Sequence, residues 1–312
     1  MLQAVDNILP KNYLSEVLPQ IETPANMVIF YEVKADLSEP EMAALSRARV
    51  AKIQPGIESL ATSTLKLMKK GTTAFQNVNF LKMCASYAVT PVWNLLIGFP
   101  GEGADVYSRY LEILPLMAHL PPPNGVYPVR FDRFSPYHYK AKEYGLNLEP
   151  MSFYSFVYPF SASDLNDLAY YFSDRNLLAE YATVATEWLG RLQSIVSKWQ
   201  SRWKPQMPEL APRLYFKEQN VVYDSRSDSL AEHRLSDSEK VILNHLARPV
   251  RIDDLVTVVA REGIDVMPEL QMLQQKKLIF QEGDRLLSLV LDGDYGSKAA
   301  LNRLLSREVV GV

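Results

Sequence analysis

Pro91-Val-Trp-Asn-Leu-Leu-Ile97, stopped by Gly98-Phe-Pro-Gly101, is the stretch that decides the fold. A short, mostly apolar run closed by a Gly/Pro cluster reads as a buried strand rather than a helix. Helical patterns stand before it, over residues 62–70 (stopped by Gly71) and 77–87, and another follows over 105–119. The next apolar run, over 126–131, is again strand-like. Upstream the alternation continues. Residues 51–54 form a short strand closed by Pro55 and Gly56. Ser38 opens a helix with Pro40 in its first turn and Met42 and Leu45 three apart. Residues 27–34 read as a strand, 12–21 as a helix, and 2–6 as a strand that stops at Asn7. Strands alternating with helices predict parallel β-α units laid out as a wound sheet or barrel, an α/β fold over residues 1–150.

Beyond residue 150 the pattern changes. Aromatic-rich helices are expected over 154–160, 165–172 and 177–203, so 151–205 reads as a helical extension. Pro121-Pro-Pro123 is a stiff linker within the first part, and Pro205, Pro208 and Pro212 mark a boundary. Residues 206–292 then form a unit of a different kind. Two strands, 213–217 and 220–224, precede helices starting at Asp237, over 252–260 and over 266–277. A hairpin over 280–290 turns at Gly283 and Asp284. Three short helices followed by a β-ribbon is the winged-helix order of a small α+β domain. Residues 293–312 read as a charged helical tail.

Composition narrows the function. The 312 residues are 47% hydrophobic and 22% charged, ordinary for a chain that buries a real core. A formal charge of −3 leaves no electrostatic footprint for nucleic acid. No signal-peptide pattern opens the chain, and no apolar run approaches the ~20 residues of a membrane span, so a cytoplasmic protein is expected. The single cysteine, Cys84, excludes an internal disulfide and any self-contained cysteine-based zinc or iron–sulfur site. With Phe80, Leu81 and Ala88 at helical spacing, it reads as a small core residue. His119, His138, His233 and His245 show no ligand spacing, and no metal site is expected.

Polar residues recur where the strands end: Asp6, Lys34, Gln54 with Glu58, Asn94, and Arg130 with Asp132. In parallel α/β folds the ligand site forms at the carboxyl ends of the strands. Caps and loop closures would account for one or two such residues. Recurrence at five successive strands favours a shared site.

Three segments carry a family resemblance: Gln54-Pro-Gly-Ile-Glu-Ser-Leu60, Leu65-Lys-Leu-Met-Lys-Lys-Gly71 and Trp93-Asn-Leu-Leu-Ile-Gly-Phe-Pro-Gly-Glu102. They resemble the later strands of a radical S-adenosylmethionine (SAM) barrel of the cobalamin-associated type. The likeness extends to Phe30-Tyr-Glu-Val-Lys-Ala-Asp36, Arg130-Phe-Asp-Arg-Phe-Ser-Pro-Tyr137 and Tyr154-Ser-Phe-Val-Tyr-Pro159. Together these are similar to the bacteriocin-type maturation proteins that modify ribosomally made peptides, over roughly residues 1–290. The resemblance implies that Gln54 and Glu58 contact the ribose and amino-acid part of SAM, and that Asn94 and the backbone through Gly98 run along its adenine. Carboxylates accept charge-assisted hydrogen bonds from such groups. Asp6, Lys34, Arg130 and Asp132 fall on the rim of the same site. It also implies a peptide C-methyltransferase activity in the complete enzyme, a [4Fe–4S] cluster and cobalamin.

One departure is as informative. The family holds its cluster through a Cys-x-x-x-Cys-x-x-Cys loop after the first barrel strand, and these residues contain no such loop. The sequence therefore predicts a barrel that is incomplete, the product of a truncated gene, of a gene whose start is misplaced, or one part of a split enzyme whose cluster segment lies on a separate polypeptide; alone it should not cleave SAM. The unit at 206–292 resembles leader-peptide recognition domains, in which a precursor peptide adds as a strand beside the 213–224 hairpin and packs on the 266–277 helix. Two other readings stand beside this one: a non-catalytic peptide-binding module, and a winged-helix regulator with an α/β sensor. Lys276 and Lys277 are offset by Glu269 on the third helix, which leaves little attraction for phosphate.

Overall fold

The computed structural model describes residues 1–5, 8–24, 26–203 and 211–292. Its first part is built of β1 (Leu2–Gln3), α1 (Lys11–Glu16), β2 (Ile29–Glu32), α2 (Glu39–Arg47), β3 (Lys52–Gln54), α3 (Thr62–Leu67), α4 (Ala74–Ser86), β4 (Thr90–Pro91), β5 (Leu95–Ile97), α5 (Ala104–Ile113) and β6 (Val126–Pro128). Local chemistry sets the helix starts. Ser38 and Glu41 form a reciprocal capping box at α2, and Thr73 with Gln76 does the same at α4.

β1, β2, β3 and β4 pair in chain order, all parallel, and β5 pairs parallel with β6. The stretch 91–97, expected as one strand, divides its bonds between two neighbours. The Val92 N–H donates to Ile53 O (2.7 Å), whereas the Leu95 N–H donates to Gly125 O (2.9 Å). Sheet twist carries the chain off β3 before β6 takes it up. The Leu96 N–H then reaches Glu58 O (2.8 Å), so the loop after β3 continues the contact.

Parallel strands in sequential order, joined by crossovers of the usual right hand, place every helix on one face of the sheet. Burial follows that rule. Tyr31, Val33, Ile53, Trp93, Leu95 and Ile97 are buried against the helices, while Gln3, Lys52, Gln54, Thr90 and Asn94 on the alternate positions are exposed.

The chain then leaves the parallel strands. β7 (Phe131–Asp132), α6 (Pro136–Tyr139), β8 (Leu148–Pro150), α7 (Phe153–Val157), α8 (Ala162–Leu168) and β9 (Tyr171–Asp174) follow. The three strands form an antiparallel sheet in the order β7-β9-β8. Two expectations are corrected here. The run 126–131 is not one strand, because the chain turns after Pro128 and Phe131 joins another sheet. The expected helix 165–172 stops at Leu168, and the stretch expected to be wholly helical contains a strand. Tyr171 and Phe172 are strong β-formers, and β7 and β8 offer edges on both sides. α9 (Glu180–Arg202) then lies along β6 and α5. The indole N–H of Trp199 donates to Leu120 O (2.9 Å), and that of Trp203 to Ala118 O (2.7 Å), so this helix clamps the segment leading into the proline linker.

The last unit comprises β10 (Leu214–Glu218), β11 (Val221–Asp224), β12 (Ala231–Arg234), α10 (Asp237–His245), β13 (Val250–Arg251), α11 (Ile252–Val259), α12 (Val266–Gln275), β14 (Ile279–Glu282) and β15 (Arg285–Ser288). The hairpin expected at 213–224 is a three-stranded antiparallel sheet, β10-β11-β12. Its third strand, Ala-Glu-His-Arg, alternates only weakly in hydrophobicity and escapes a sequence reading. The outer edge of β10 is closed by Leu291, whose N–H donates to Leu214 O and whose O accepts from the Phe216 N–H, both at 3.1 Å. The expected groove at the 213–224 hairpin is therefore corrected, since Leu291 and β12 occupy its two outer edges and leave no place for an added strand there. Residues 204–210 and 293–312, which include most of the expected boundary and the tail, lie outside the described residues.

This unit does not swing free. One continuous core runs from Leu9 to Leu291. Phe280 packs edge-on against Phe75 of α4, with ring centroids 5.0 Å apart. Glu282 accepts from the Thr62 N–H (2.8 Å), and Arg109 donates to Gln281 O (2.7 Å). Arg226, held by Asp224 at 2.7 Å, donates to Leu116 O (3.0 Å). Two buried titratable groups complete the seam. His119 bonds Leu289 O through Nε2 (2.9 Å), and Lys82 donates to Ser288 O (2.5 Å). Burial pulls His119 down to about 3 and Lys82 down to about 8.

Both depressed values mean that the unfolded chain binds a proton which the folded chain does not. For His119 that window runs from its ordinary 6.5 down to about 3, so stability falls as pH drops through it. For Lys82 it runs from about 8 to 10.5, so stability rises with pH across it, by on the order of 3 kcal/mol. Urea unfolding of wild type and Lys82→Met between pH 7.5 and 10.5 checks this, with the rise expected in wild type and a flatter profile in the variant.

The turn after β5 is held by one carboxylate. Buried Glu102 accepts from the N–H groups of Gly98 (2.8 Å) and Phe99 (3.1 Å), from Tyr107 Oη (2.6 Å) and from Thr64. Removing it orphans several buried donors. Glu102→Ala should cost about 3 kcal/mol or more in chemical denaturation, and Glu102→Gln, which keeps one acceptor oxygen, about 1 kcal/mol.

Candidate functional site: the open face of the parallel sheet

The uncovered face of the sheet is the candidate site, because buried parallel sheets are normally covered on both sides. Register places its residues. Glu32 lies beside Gln54 across β2 and β3, and Gln54 lies next to Val92 as β4 ends. One step further toward the carboxyl ends, the same face carries Lys34 and Asn94, and it continues through Leu96 and Tyr127 on β5 and β6. Gln54, Lys34 and Asn94 are exposed. Among the described residues, the Gln54 and Asn94 side chains have no protein partner, so their amides are free to bind a polar ligand.

Lys34 also lines a hollow of about 320 Å³ at the rim, together with Lys11 and Asp36, which pair at 3.2 Å. Glu58 takes a different course. Its backbone is left-handed (φ +60°), unusual for a residue with a side chain, and its carboxylate pairs with Lys70 at 2.8 Å. It stands beside Leu96 through its carbonyl, at the edge of the open face. Both partners of the Glu58–Lys70 pair are about one-third exposed (32%), so the pair contributes little to stability and can rearrange around a ligand.

The remaining expected site residues lie elsewhere. The Gly98 N–H is taken by Glu102 and Tyr107, and a Cβ built on Gly98 would sit 3.0 Å from Ala185 of α9. Gly98 is thus a turn (φ +79°) under a helix, on the wall of a mostly apolar cavity of about 210 Å³. Arg130 and Asp132 pair with each other at 2.6 Å, and the Arg130 guanidinium lies 4.2 Å above the Tyr171 ring, at the antiparallel sheet. Asp6 lies outside the described residues. The structure therefore gathers Lys34, Gln54 and Asn94 on one face, with Glu58 at its edge. The sequence reading missed Glu32, which lacks the turn neighbours that mark the other residues but shares their register.

SAM fits this face in chemistry. Amide and carboxylate side chains at Gln54, Asn94 and Glu32 suit ribose hydroxyls and an α-amino group. An iron–sulfur cluster does not fit these residues. Cys84 is buried in α4 with its thiol pushed up by burial, and among the described residues no three His, Cys, Asp or Glu side chains are grouped as for a metal ion. Nor is any described helix long and apolar enough to cross a membrane.

No family model matches the chain, and no curated protein is similar to it. Among solved structures, it is similar to coproporphyrinogen III oxidase (HemN) from Escherichia coli, a radical SAM enzyme. The identity is 8% and the TM-score 0.33, over 96% of this chain and 74% of that one. A superposition this loose does not establish a common fold.

The strained Glu58 backbone gives a direct test. Glu58→Gly relieves the left-handed conformation and should be neutral or stabilising by about 0.5–1 kcal/mol, whereas Glu58→Val should destabilise by about 1–2 kcal/mol. Thermal unfolding of the two variants measures the difference.

Proposed function

We propose that this chain is the SAM- and peptide-binding portion of a radical SAM enzyme that matures ribosomally made peptides, C-methyltransferase-like in its complete form. The observation that carries the reading is the polar, uncovered face of a sequentially ordered parallel sheet. That face is the inside of an incomplete barrel, where radical SAM proteins bind their nucleotide. Gln54 and Asn94 would hold SAM by hydrogen bonds, with Glu58 and Lys34 placing its charged amino-acid end. SAM, when bound, supplies an activated methyl group and, on one-electron reduction, radical chemistry. The chain's own residues position it. Cluster ligands must come from outside these residues, and the resemblance alone argues for cobalamin.

The last unit is read as a winged-helix-like domain that captures the precursor peptide. Its order, a three-stranded sheet followed by helices and a hairpin, supports this. Among the described residues β12 is the free edge of that sheet, and the end of α12 reaches it, with Lys276 donating to Arg234 O at 3.0 Å. A peptide added to β12 would gain main-chain hydrogen bonds and pack on α12, where Met267 and Met272 are exposed. The same features favour the second reading, a peptide-binding module without catalysis. A duplex-DNA reader is disfavoured, because the hairpin of β14 and β15 is docked on Thr62 and Arg109 rather than presented outward.

Calorimetric titration of the full chain with SAM separates the readings. Saturable binding is expected, weakened about fivefold or more by Gln54→Ala and by Asn94→Ala and unchanged by Arg130→Ala. Absence of SAM binding, with a precursor-type peptide still bound, would leave the module reading standing alone.

A further inference from the structure

A cleft of about 830 Å³ lies away from the sheet face, between α4 and the last unit. One wall is a stripe of α4 in which Asn79, Lys82 and Ser86 recur at helical spacing. Asn244 and Arg248, at and beyond the end of α10, form the opposite wall, and the strand end from Ser288 to Asp292 lies between them.

The Lys82 ammonium is the unusual group. The residue is only 7% exposed, and among the described residues its one hydrogen bond goes to Ser288 O at 2.5 Å. Among the described residues no carboxylate pairs with it. An ammonium carries three donors, so two remain for the cleft. A buried charge without a counter-ion is costly, and natural cores seldom keep one without a use. Holding Ser288 O needs one donor and no charge, so a seam role alone leaves the cation unexplained.

The surroundings point the same way. Among the described residues, the side chains of Asn79, Ser86, Asn244 and Arg248 have no protein partner, although all face the cleft. Two acids share it. Glu39 is engaged by the Tyr87 hydroxyl at 3.0 Å, and Asp292 is exposed and acts on Lys82 through space. A volume of this size accommodates a small molecule with several polar groups.

We propose that this cleft binds a small organic or inorganic anion bearing carboxylate or phosphate groups, seated between the Lys82 ammonium at its base and the Arg248 guanidinium at its mouth. Asn79 and Ser86 donate further hydrogen bonds from the α4 wall. The site is separate from the sheet face and does not depend on the SAM reading. Its ligand would bridge the first part of the chain and the last unit, and so tighten the seam. Because burial holds Lys82 at about 8, it is charged at neutral pH, and anion affinity should fall as the pH is raised past that value.

The test titrates the full chain with inorganic phosphate and, separately, with citrate, by calorimetry at pH 7 and at about pH 9.5. Saturable binding of at least one anion at pH 7 is expected. It should weaken about tenfold in Arg248→Ala, disappear in Lys82→Met, weaken at the higher pH, and stay unchanged in Arg261→Ala. Arg248 is exposed, so its variant should fold whatever becomes of Lys82→Met. Failure of both anions to bind saturably overturns the proposal. So does binding that Arg248→Ala and Arg261→Ala weaken equally, which would mark a diffuse surface effect.

Discussion

Sequential order in a parallel sheet is a severe constraint. With crossovers of one hand, each helix returns over the same face, and the other face has no element of its own chain to cover it. A doubly wound fold escapes by reversing direction and laying helices on both sides, and a closed barrel escapes by filling its interior with its own side chains. Among the described residues this chain does neither. Its strands run β1, β2, β3, β4/β5, β6 without reversal, and the uncovered positions carry Lys52, Gln54, Thr90 and Asn94 rather than Val and Ile. A face built of such residues is made to meet water or a polar ligand, not another apolar layer.

The same constraint explains why so much of the chain beyond β6 is spent on buttressing. The helical face must be buried completely, and α1 to α5 do not reach its far end. α9 covers β6 and clamps the entry to the proline linker with two indole N–H groups, while the last unit closes over α4 and the turn after α5. Polar anchors fix the register of that closure. His119, Lys82 and Arg226 each donate to a main-chain carbonyl across the seam, and each is buried in doing so. Hydrogen bonds to carbonyls specify position more sharply than apolar contact does.

How much of this was legible in the sequence follows from which interactions are local. The strand–helix alternation through residue 128 was readable because each element carries its own period and its own start or stop signal, as at Ser38 and Gly71. The Ser38 cap was readable for the same reason, whereas the Thr73 cap, which starts α4 three residues ahead of the expected 77, was missed. What escaped was set by partners distant in sequence. β9 is a strand because β7 and β8 flank it, although its neighbours in sequence are helical. The weakly patterned Ala231–Arg234 is a strand because β11 pairs with it. Of the site, the carboxyl-end positions Lys34, Gln54 and Asn94 were visible as polar punctuation after apolar runs. The commitment of Gly98 to α9, of Glu58 to Lys70 and of Arg130 to Asp132 depended on packing that no local pattern encodes. Lys82 was invisible for a related reason, since on a helix a lysine reads as solvated until something closes over it.

Glu102 shows how one buried charge can serve both the core and the open face. Its carboxylate collects the Gly98 and Phe99 amides and the Tyr107 hydroxyl, with Thr64 adding a further bond, so four donors from three segments converge on a single group. That convergence fixes where β5 ends. The end of β5 in turn sets the line along which Leu96 meets the Glu58 carbonyl, and Glu58 owes its left-handed backbone to a loop that must both follow β3 and reach Leu96. Strain at Glu58 is thus the local consequence of a turn held rigid on the other side of the sheet. A site assembled this way is positioned by the core rather than by its own side chains, which is why Gln54 and Asn94 can stand without side-chain partners among the described residues and remain available to a ligand.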